Sequence, residues 1–120
     1  MKILIVDDSR VMRQIVVRTL RQAGLGGHEI VEADDGRAGF DAVVQHRPQL
    51  VLSDWNMPEM TGIDMLRALR AAGNDVPLVF VTSEGSPEMV SRAEQAGAMS
   101  VITKPFTPES FRAVLEPVLA

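Results

Sequence analysis

Four places along the chain carry side chains able to handle a phosphoryl group or a hard cation. They are the pair Asp7-Asp8, the single acid Asp54, the hydroxyls Thr82-Ser83, and Lys104 ahead of Pro105. Each follows a short apolar run: Ile3 to Val6, Leu50 to Leu52, Leu78 to Val81, and Val101-Ile102. If these runs are parallel strands, their carboxyl ends share one edge of a sheet, where ligands of open α/β sheets collect. Three carboxylates gathered there repel one another and cost stability unless a cation neutralises them. Oxygen donors without His or Cys suit a hard ion, and Mg²⁺ fits best, because it accepts a few carboxylates together with waters and phosphate oxygens. A lysine and a hydroxyl in the same place suit a phosphoryl group, the first as a point charge and the second as a hydrogen-bond donor.

Taken singly, each of these residues has a plainer reading. Asp7 and Asp8 can cap a helix, Asp54 can be a turn residue or a cap, Thr82-Ser83 can simply end a strand, and Lys104 can be a solvated charge. Coincidence of all four at successive strand ends is much harder to explain that way. His28 and His46 share no metal-binding spacing with each other or with the acids, which favours surface positions. Gly24, Gly26 and Gly27 do not follow a strand and read as a loop rather than a phosphate cradle.

The elements that must position these groups follow from hydrophobic spacing. Ile3 to Val6 read as a buried strand. A helix follows in which Met12, Ile15, Val16, Thr19, Leu20 and Ala23 recur on one side, with Ser9 able to cap it and Gly24 able to end it. Glu29 to Ala33 alternate, as a strand nearer the edge does. Asp35-Gly36 opens a second helix with the stripe Phe40, Val43 and Val44, closed ahead of Pro48. Leu50 to Asp54 form a central strand, and Thr61-Gly62 leads into a third helix with Ile63, Leu66 and Leu69 inward, ending near Gly73-Asn74. After Pro77 comes a strand over Leu78 to Thr82.

Two later helices open on a hydroxyl followed by proline, Ser86-Pro87 and Thr107-Pro108, with a strand from Met99 to Thr103 between them. The fourth helix stops at Gly97; the fifth turns Phe111, Val114, Leu115 and Val118 inward, and Pro117 should kink it or end it one turn early. Five strands alternating with five helices on short loops predict an α/β fold, a doubly wound parallel sheet covered on both faces, in a single domain over residues 1–120.

Composition narrows the function classes. A net charge of −4, with 12 basic and 16 acidic residues and no long run of either sign, argues against non-specific nucleic-acid binding. One Trp, four Phe and no Tyr leave little for base stacking. Without cysteine there is no disulfide framework and no thiolate metal site, in keeping with a reducing cytoplasm. The first apolar run is too short for a signal peptide, and none approaches the roughly 20 residues of a membrane span, so the chain reads as soluble.

With Asp7-Asp8-Ser9, Asp54-Trp55-Asn56-Met57-Pro58 with Gly62, Thr82-Ser83-Glu84 and Lys104-Pro105-Phe106 in this order, the chain resembles the response-regulator receiver domains of bacterial two-component signalling, most closely the stand-alone chemotaxis type. The resemblance spans the whole sequence and implies the flavodoxin-like strand order 2-1-3-4-5. It further implies that Asp54 accepts a phosphoryl group from a phosphohistidine on a partner histidine kinase. Asp8, Asp54 and the main-chain carbonyl of Asn56 would hold Mg²⁺, with Asp7 acting through water. Lys104 would contact the phosphoryl oxygens, aimed by a cis bond before Pro105, and Thr82 would move to hydrogen-bond the same group. The surface of the fourth helix, fifth strand and fifth helix would then change and bind a downstream protein target, the flagellar motor switch being one candidate. The implied protein is a cytoplasmic monomer that binds neither nucleic acid nor membrane and catalyses only its own phosphorylation and dephosphorylation.

The match has departures. The position three residues before the lysine, usually Tyr or Phe in the family, is Val101, while Asn56 and Glu84 stand where the family tunes acyl-phosphate lifetime through access of water. Two other functions share part of the pattern. A Mg²⁺ phosphatase with an aspartyl nucleophile would use Asp54 and the metal, but such enzymes place a second Asp where Asn56 stands. A pseudo-receiver that binds partners without phosphorylation is the other, and the intact acidic set counts against it.

Overall fold

The computed structural model describes residues 1–119. The elements are β1 (Lys2–Val6), α1 (Arg10–Gln22), β2 (Glu29–Ala33), α2 (Gly36–His46), β3 (Leu50–Ser53), α3 (Gly62–Ala71), β4 (Leu78–Thr82), α4 (Pro87–Ala96), β5 (Ser100–Thr103) and α5 (Pro108–Leu119). All strands pair in parallel in the order β2-β1-β3-β4-β5. This is the doubly wound sheet expected from the alternation of elements, with β3 at its centre.

Why the inner strands are unbroken apolar runs is visible in their two faces. Ile3, Ile5, Leu50, Leu52, Val79 and Val81 point to one side, against Val16 and Leu20 of α1 and Phe111, Leu115 and Leu119 of α5. Leu4, Val6, Val51, Leu78 and Phe80 point to the other, against Val43 of α2, Ile63, Leu66 and Leu69 of α3, and Ala93 of α4. Each large side chain so enclosed contributes roughly 1.5–3 kcal/mol relative to exposure. β2 lies at an edge, as expected, but its exposure does not alternate: Glu29 and Glu32 are three residues apart, on opposite faces of the strand, and both are exposed because an edge strand is covered less completely.

The helices begin where their caps dictate. The side chains of Ser9, Asp35, Thr61 and Ser86 each accept a hydrogen bond from the backbone N–H three residues on. Thr107 does the same for Ser110. A cap of this kind stabilises a helix by about 1 kcal/mol.

Two expectations about helices need correction. Val44 does not join the buried stripe of α2; it is 58% exposed, because successive helical residues are turned about 100° apart and the inward arc is filled by Gly36, Gly39 and Val43. Of the two outcomes expected at Pro117, a kink or an end one turn early, the second does not occur. The helix continues to Leu119, whose side chain is buried beside Leu115 in the core under α1 and α5. That burial outweighs the one backbone hydrogen bond a proline near a helix end forgoes.

One glycine fixes the turn that leads away from β3. The Gly62 N–H donates to the Trp55 carbonyl at 2.8 Å, and a Cβ at Gly62 would run into the main-chain oxygen of Asp54 and come within 2.8 Å of the Phe80 ring. Gly62→Ala is therefore expected to cost about 1–3 kcal/mol through overpacking. The check is a lower denaturant midpoint at unchanged slope. A variant as stable as the parent would show that the backbone at Asp54 yields.

Candidate functional site

Parallel pairing puts the ends of β1, β3, β4 and β5 on one edge, and the loops that leave them carry the polar groups. In the register, Val6 lies opposite Ser53, Ser53 opposite Phe80, and Thr82 opposite Thr103. Asp7 and Asp54 therefore emerge side by side from neighbouring strands, while Lys104 leaves β5 with β4 between and reaches Asp54 through its long side chain. The Asp54 N–H donates to the Val6 carbonyl at 2.9 Å and the Lys104 N–H to the Thr82 carbonyl at 2.8 Å, so the ladder extends to the reactive residues themselves.

Asp7, Asp8 and Asp54 each offer a carboxylate oxygen within 4.8 Å of the others. Lys104 Nζ stands 3.3 Å from Asp7 Oδ2 and 3.7 Å from Asp54 Oδ2. Asp7 is buried, its Oδ1 taking the N–H of Ser9 at 2.9 Å. Asp54 is half-buried and its Oδ1 accepts the N–H of Trp55 at 2.8 Å, whereas Asp8 is exposed. The plainer reading of the acid pair as a helix cap does not hold, since Ser9 caps α1.

One lysine does not balance three carboxylates. Burial raises the Asp54 carboxyl above its usual 3.8; the Lys104 ammonium and the Trp55 N–H work in the opposite direction, and the neighbouring Asp7 and Asp8 add to the rise. A divalent cation answers that surplus, and the all-oxygen donor set fits a hard one such as Mg²⁺. The main-chain carbonyl of Asn56 accepts no hydrogen bond from the described residues, which leaves it free as a further oxygen donor.

Thr82 is fully buried at the end of β4, and its Oγ1 accepts from the Glu84 N–H at 3.3 Å rather than contacting the acids. Asn56 reaches across to the same loop, its side-chain N–H donating to Glu84 Oε1 at 3.2 Å. The peptide bond between Lys104 and Pro105 is cis.

Two residues that reading the sequence did not single out support the site. Arg13 of α1 donates through Nη1 to the Asp7 carbonyl at 2.6 Å and through Nε to Glu32 Oε1 at 2.8 Å, pinning the loop after β1 to the end of β2. Its i+4 spacing from Ser9 was the available signal, but any arginine on an exposed helix face shares it. Arg92 of α4 lies over the Trp55 ring, 5.5 Å from its centroid, and Trp55 packs on Phe80 at 4.9 Å between centroids. Nothing in the local sequence joins residue 92 to residue 55.

Residues 3–116 match the family model described as response regulator receiver domain. The chain is 39% identical to a chemotaxis protein CheY homolog of Campylobacter jejuni, the match covering 99% of this chain and 92% of the relative. It is 40% identical to chemotaxis protein CheY of Pseudomonas aeruginosa, covering 98% and 95%. Among solved structures, chemotaxis protein CheY4 of Vibrio cholerae superposes with a TM-score of 0.85 at 38% identity, over 98% of both chains.

Proposed function

The chain belongs to the response regulator receiver family, and from that premise we propose that it is a phosphorylation-controlled signalling switch with Asp54 as the phosphoacceptor. Residues 1–120 would form one receiver domain. An oxygen of Asp54 attacks the phosphorus of a phosphohistidine on a partner histidine kinase; the new O–P bond forms as the P–N bond breaks, and the departing imidazole keeps the electron pair and takes up a proton. Phosphoryl transfer asks of a protein mainly position and charge neutralisation.

Lys104 supplies one positive charge to the phosphoryl oxygens. Asp8, Asp54 and the Asn56 carbonyl would hold Mg²⁺, with Asp7 acting through water, and the bound ion would neutralise the negative charge that builds on the transferring group. Thr82, now engaged with the Glu84 N–H, would turn its hydroxyl to the phosphoryl group. The protein would act on no other substrate. The observation that carries this reading is Lys104 Nζ lying within 4 Å of both Asp7 and Asp54 inside a group of three acids.

The gain of roughly −1.5 to −2 charge at Asp54 gives the loops bearing Thr82 and Lys104 a reason to close. Closure would alter the face formed by α4, β5 and α5. That face includes a groove of about 300 Å³ lined by Val101, Phe106 and Val114 together with the hydroxyl residues Thr103, Thr107 and Ser110, suited to a segment of a downstream target that carries both apolar and polar groups. The flagellar motor switch would be one such target, a reading in keeping with the chemotaxis relatives. The reading locates the protein, as a monomer, in the cytoplasm with its kinase.

The test is to offer a small acyl-phosphate donor with Mg²⁺ and weigh the intact protein. Gain of one phosphoryl group, absent when the cation is chelated, is the expected result. No gain under any condition would favour a pseudo-receiver, and turnover of phosphate esters would favour a phosphatase.

A further inference from the structure

α4 is the helix with the least holding it down. Ala93 is its one buried residue, and only Met89, Val90 and Ala96 are partly covered among the rest. Its C-terminal end is tied to α3 by Arg70, whose Nη2 donates to the Gly97 carbonyl at 2.8 Å. Along its length the link to the acidic site is Arg92, whose guanidinium covers the outer side of the Trp55 ring while Phe80 packs against that ring from the core. Trp55 is in turn joined to Asp54 directly, its N–H donating to Oδ1 at 2.8 Å. A chain of contacts thus runs from the acid to the exposed face of α4 through one indole.

The geometry points to Arg92 as a positioning residue that couples α4 to the chemical state of Asp54 through Trp55. The inference rests on the reading of Asp54 as phosphoacceptor. Esterification removes the formal charge from the carboxylate that holds the Trp55 N–H, so that hydrogen bond weakens, and the indole is freed to shift with it. A cation over the ring follows the ring and also feels the added negative charge behind it. Among the described residues, no other contact along the exposed side of α4 offers both effects. Val101 of β5, half-buried in the same core, has no ring through which the signal could pass instead.

The experiment compares the full chain with Arg92→Ala and Arg92→Lys, measuring phosphoryl loading by mass and amide hydrogen exchange across residues 87–96 with and without the acyl-phosphate donor and Mg²⁺. In the parent chain, loading should change exchange in α4 by about two- to fivefold, the scale of one exposed cation–π contact. Arg92→Ala should load to the same extent and lose that difference, and Arg92→Lys, which keeps the cation, should retain part of it. A purely structural role for Arg92 would speed exchange equally in loaded and unloaded protein and leave the difference intact. That result overturns the proposal, as does a loaded parent whose α4 does not respond. Failure of Arg92→Ala to load overturns it too, by putting Arg92 in the transfer step. If the parent chain itself takes up no phosphoryl group, the reading of Asp54 as phosphoacceptor falls first and this inference with it.

Discussion

Asp54→Asn is expected to abolish phosphoryl uptake entirely and, in the same variant, to make the fold more stable at neutral pH without Mg²⁺. The first effect is loss of the attacking oxygen: an amide has no carboxylate to form the acyl phosphate. The second follows from the site's charge. Burial lifts the Asp54 carboxyl above its ordinary 3.8, Lys104 and the Trp55 N–H offset part of this, and Asp7 and Asp8 push it up again. An acid with a raised folded-state pKa holds its proton more tightly in the folded chain than in the unfolded one, so stability falls as pH climbs from the unfolded value through the folded one. Above that window the parent bears the cost, and well below the carboxyl's ordinary 3.8 it bears none.

Asparagine keeps the shape without that dependence. Its advantage, read as a higher Tm, should be present at pH 7 and shrink as the solution is acidified. Mg²⁺ at pH 7 should narrow the gap by binding the folded parent. Thermal melts of both proteins at several pH values, with and without the cation, are the measurement. An Asp54→Asn chain less stable than the parent at pH 7 without Mg²⁺ would mean that Lys104 already compensates the carboxylate.

Opposite signs for function and stability explain which parts of this protein its sequence discloses. The strands disclose themselves because burial on both faces demands unbroken apolar runs, as at Ile3 to Val6 and Leu78 to Val81. Helix starts do so because a cap is a local contact: Ser9, Asp35, Thr61 and Ser86 each bond a backbone N–H three residues away. The acidic group was legible because residues placed against stability, such as Asp54, stand out at strand ends. Strand order was not, since nothing local in β1 says that it lies between β2 and β3; it came only from resemblance to a known family.

Contacts between distant surface elements were hidden for the same reason. Arg13 to the Asp7 carbonyl, Arg92 over Trp55, and Asn56 to Glu84 join residues whose neighbours look like ordinary solvated polar positions. The two misreadings had a different origin. Val44 and Pro117 were judged by residue type, and the outcome depended on which arc of the helix faced the core and on whether a buried Leu119 lay beyond the proline.

Lys104→Met should separate the lysine's two tasks. Its ammonium is the only cation within 4 Å of the Asp7 and Asp54 carboxylates among the described residues, and both it and the Asp7 carboxylate are largely enclosed, with side-chain exposures of 18% and 6%. Without it, Asp7 keeps the Ser9 N–H but no counter-charge, and an enclosed charge that loses its partner costs about 2–3 kcal/mol. Removing the ammonium also takes away the larger of the two influences that lower the Asp54 carboxyl, which moves further up. Transfer from a small acyl phosphate should slow by about 10²–10³-fold, the scale seen when one preorganised donor to a developing oxyanion is lost.

Mg²⁺ should restore much of the stability, because it too neutralises the acids, and little of the rate, because the phosphoryl oxygens still lack the ammonium. Lys104→Arg should sort the same way: a guanidinium keeps the charge and hence much of the fold, yet its planar fork does not reproduce a point charge held between Asp7 and Asp54. Denaturation midpoints and single-turnover loading rates for both variants, each with and without the cation, decide the matter. Equal recovery of stability and rate in Lys104→Arg would mean that only net charge matters at this position and that the aim of the lysine contributes nothing.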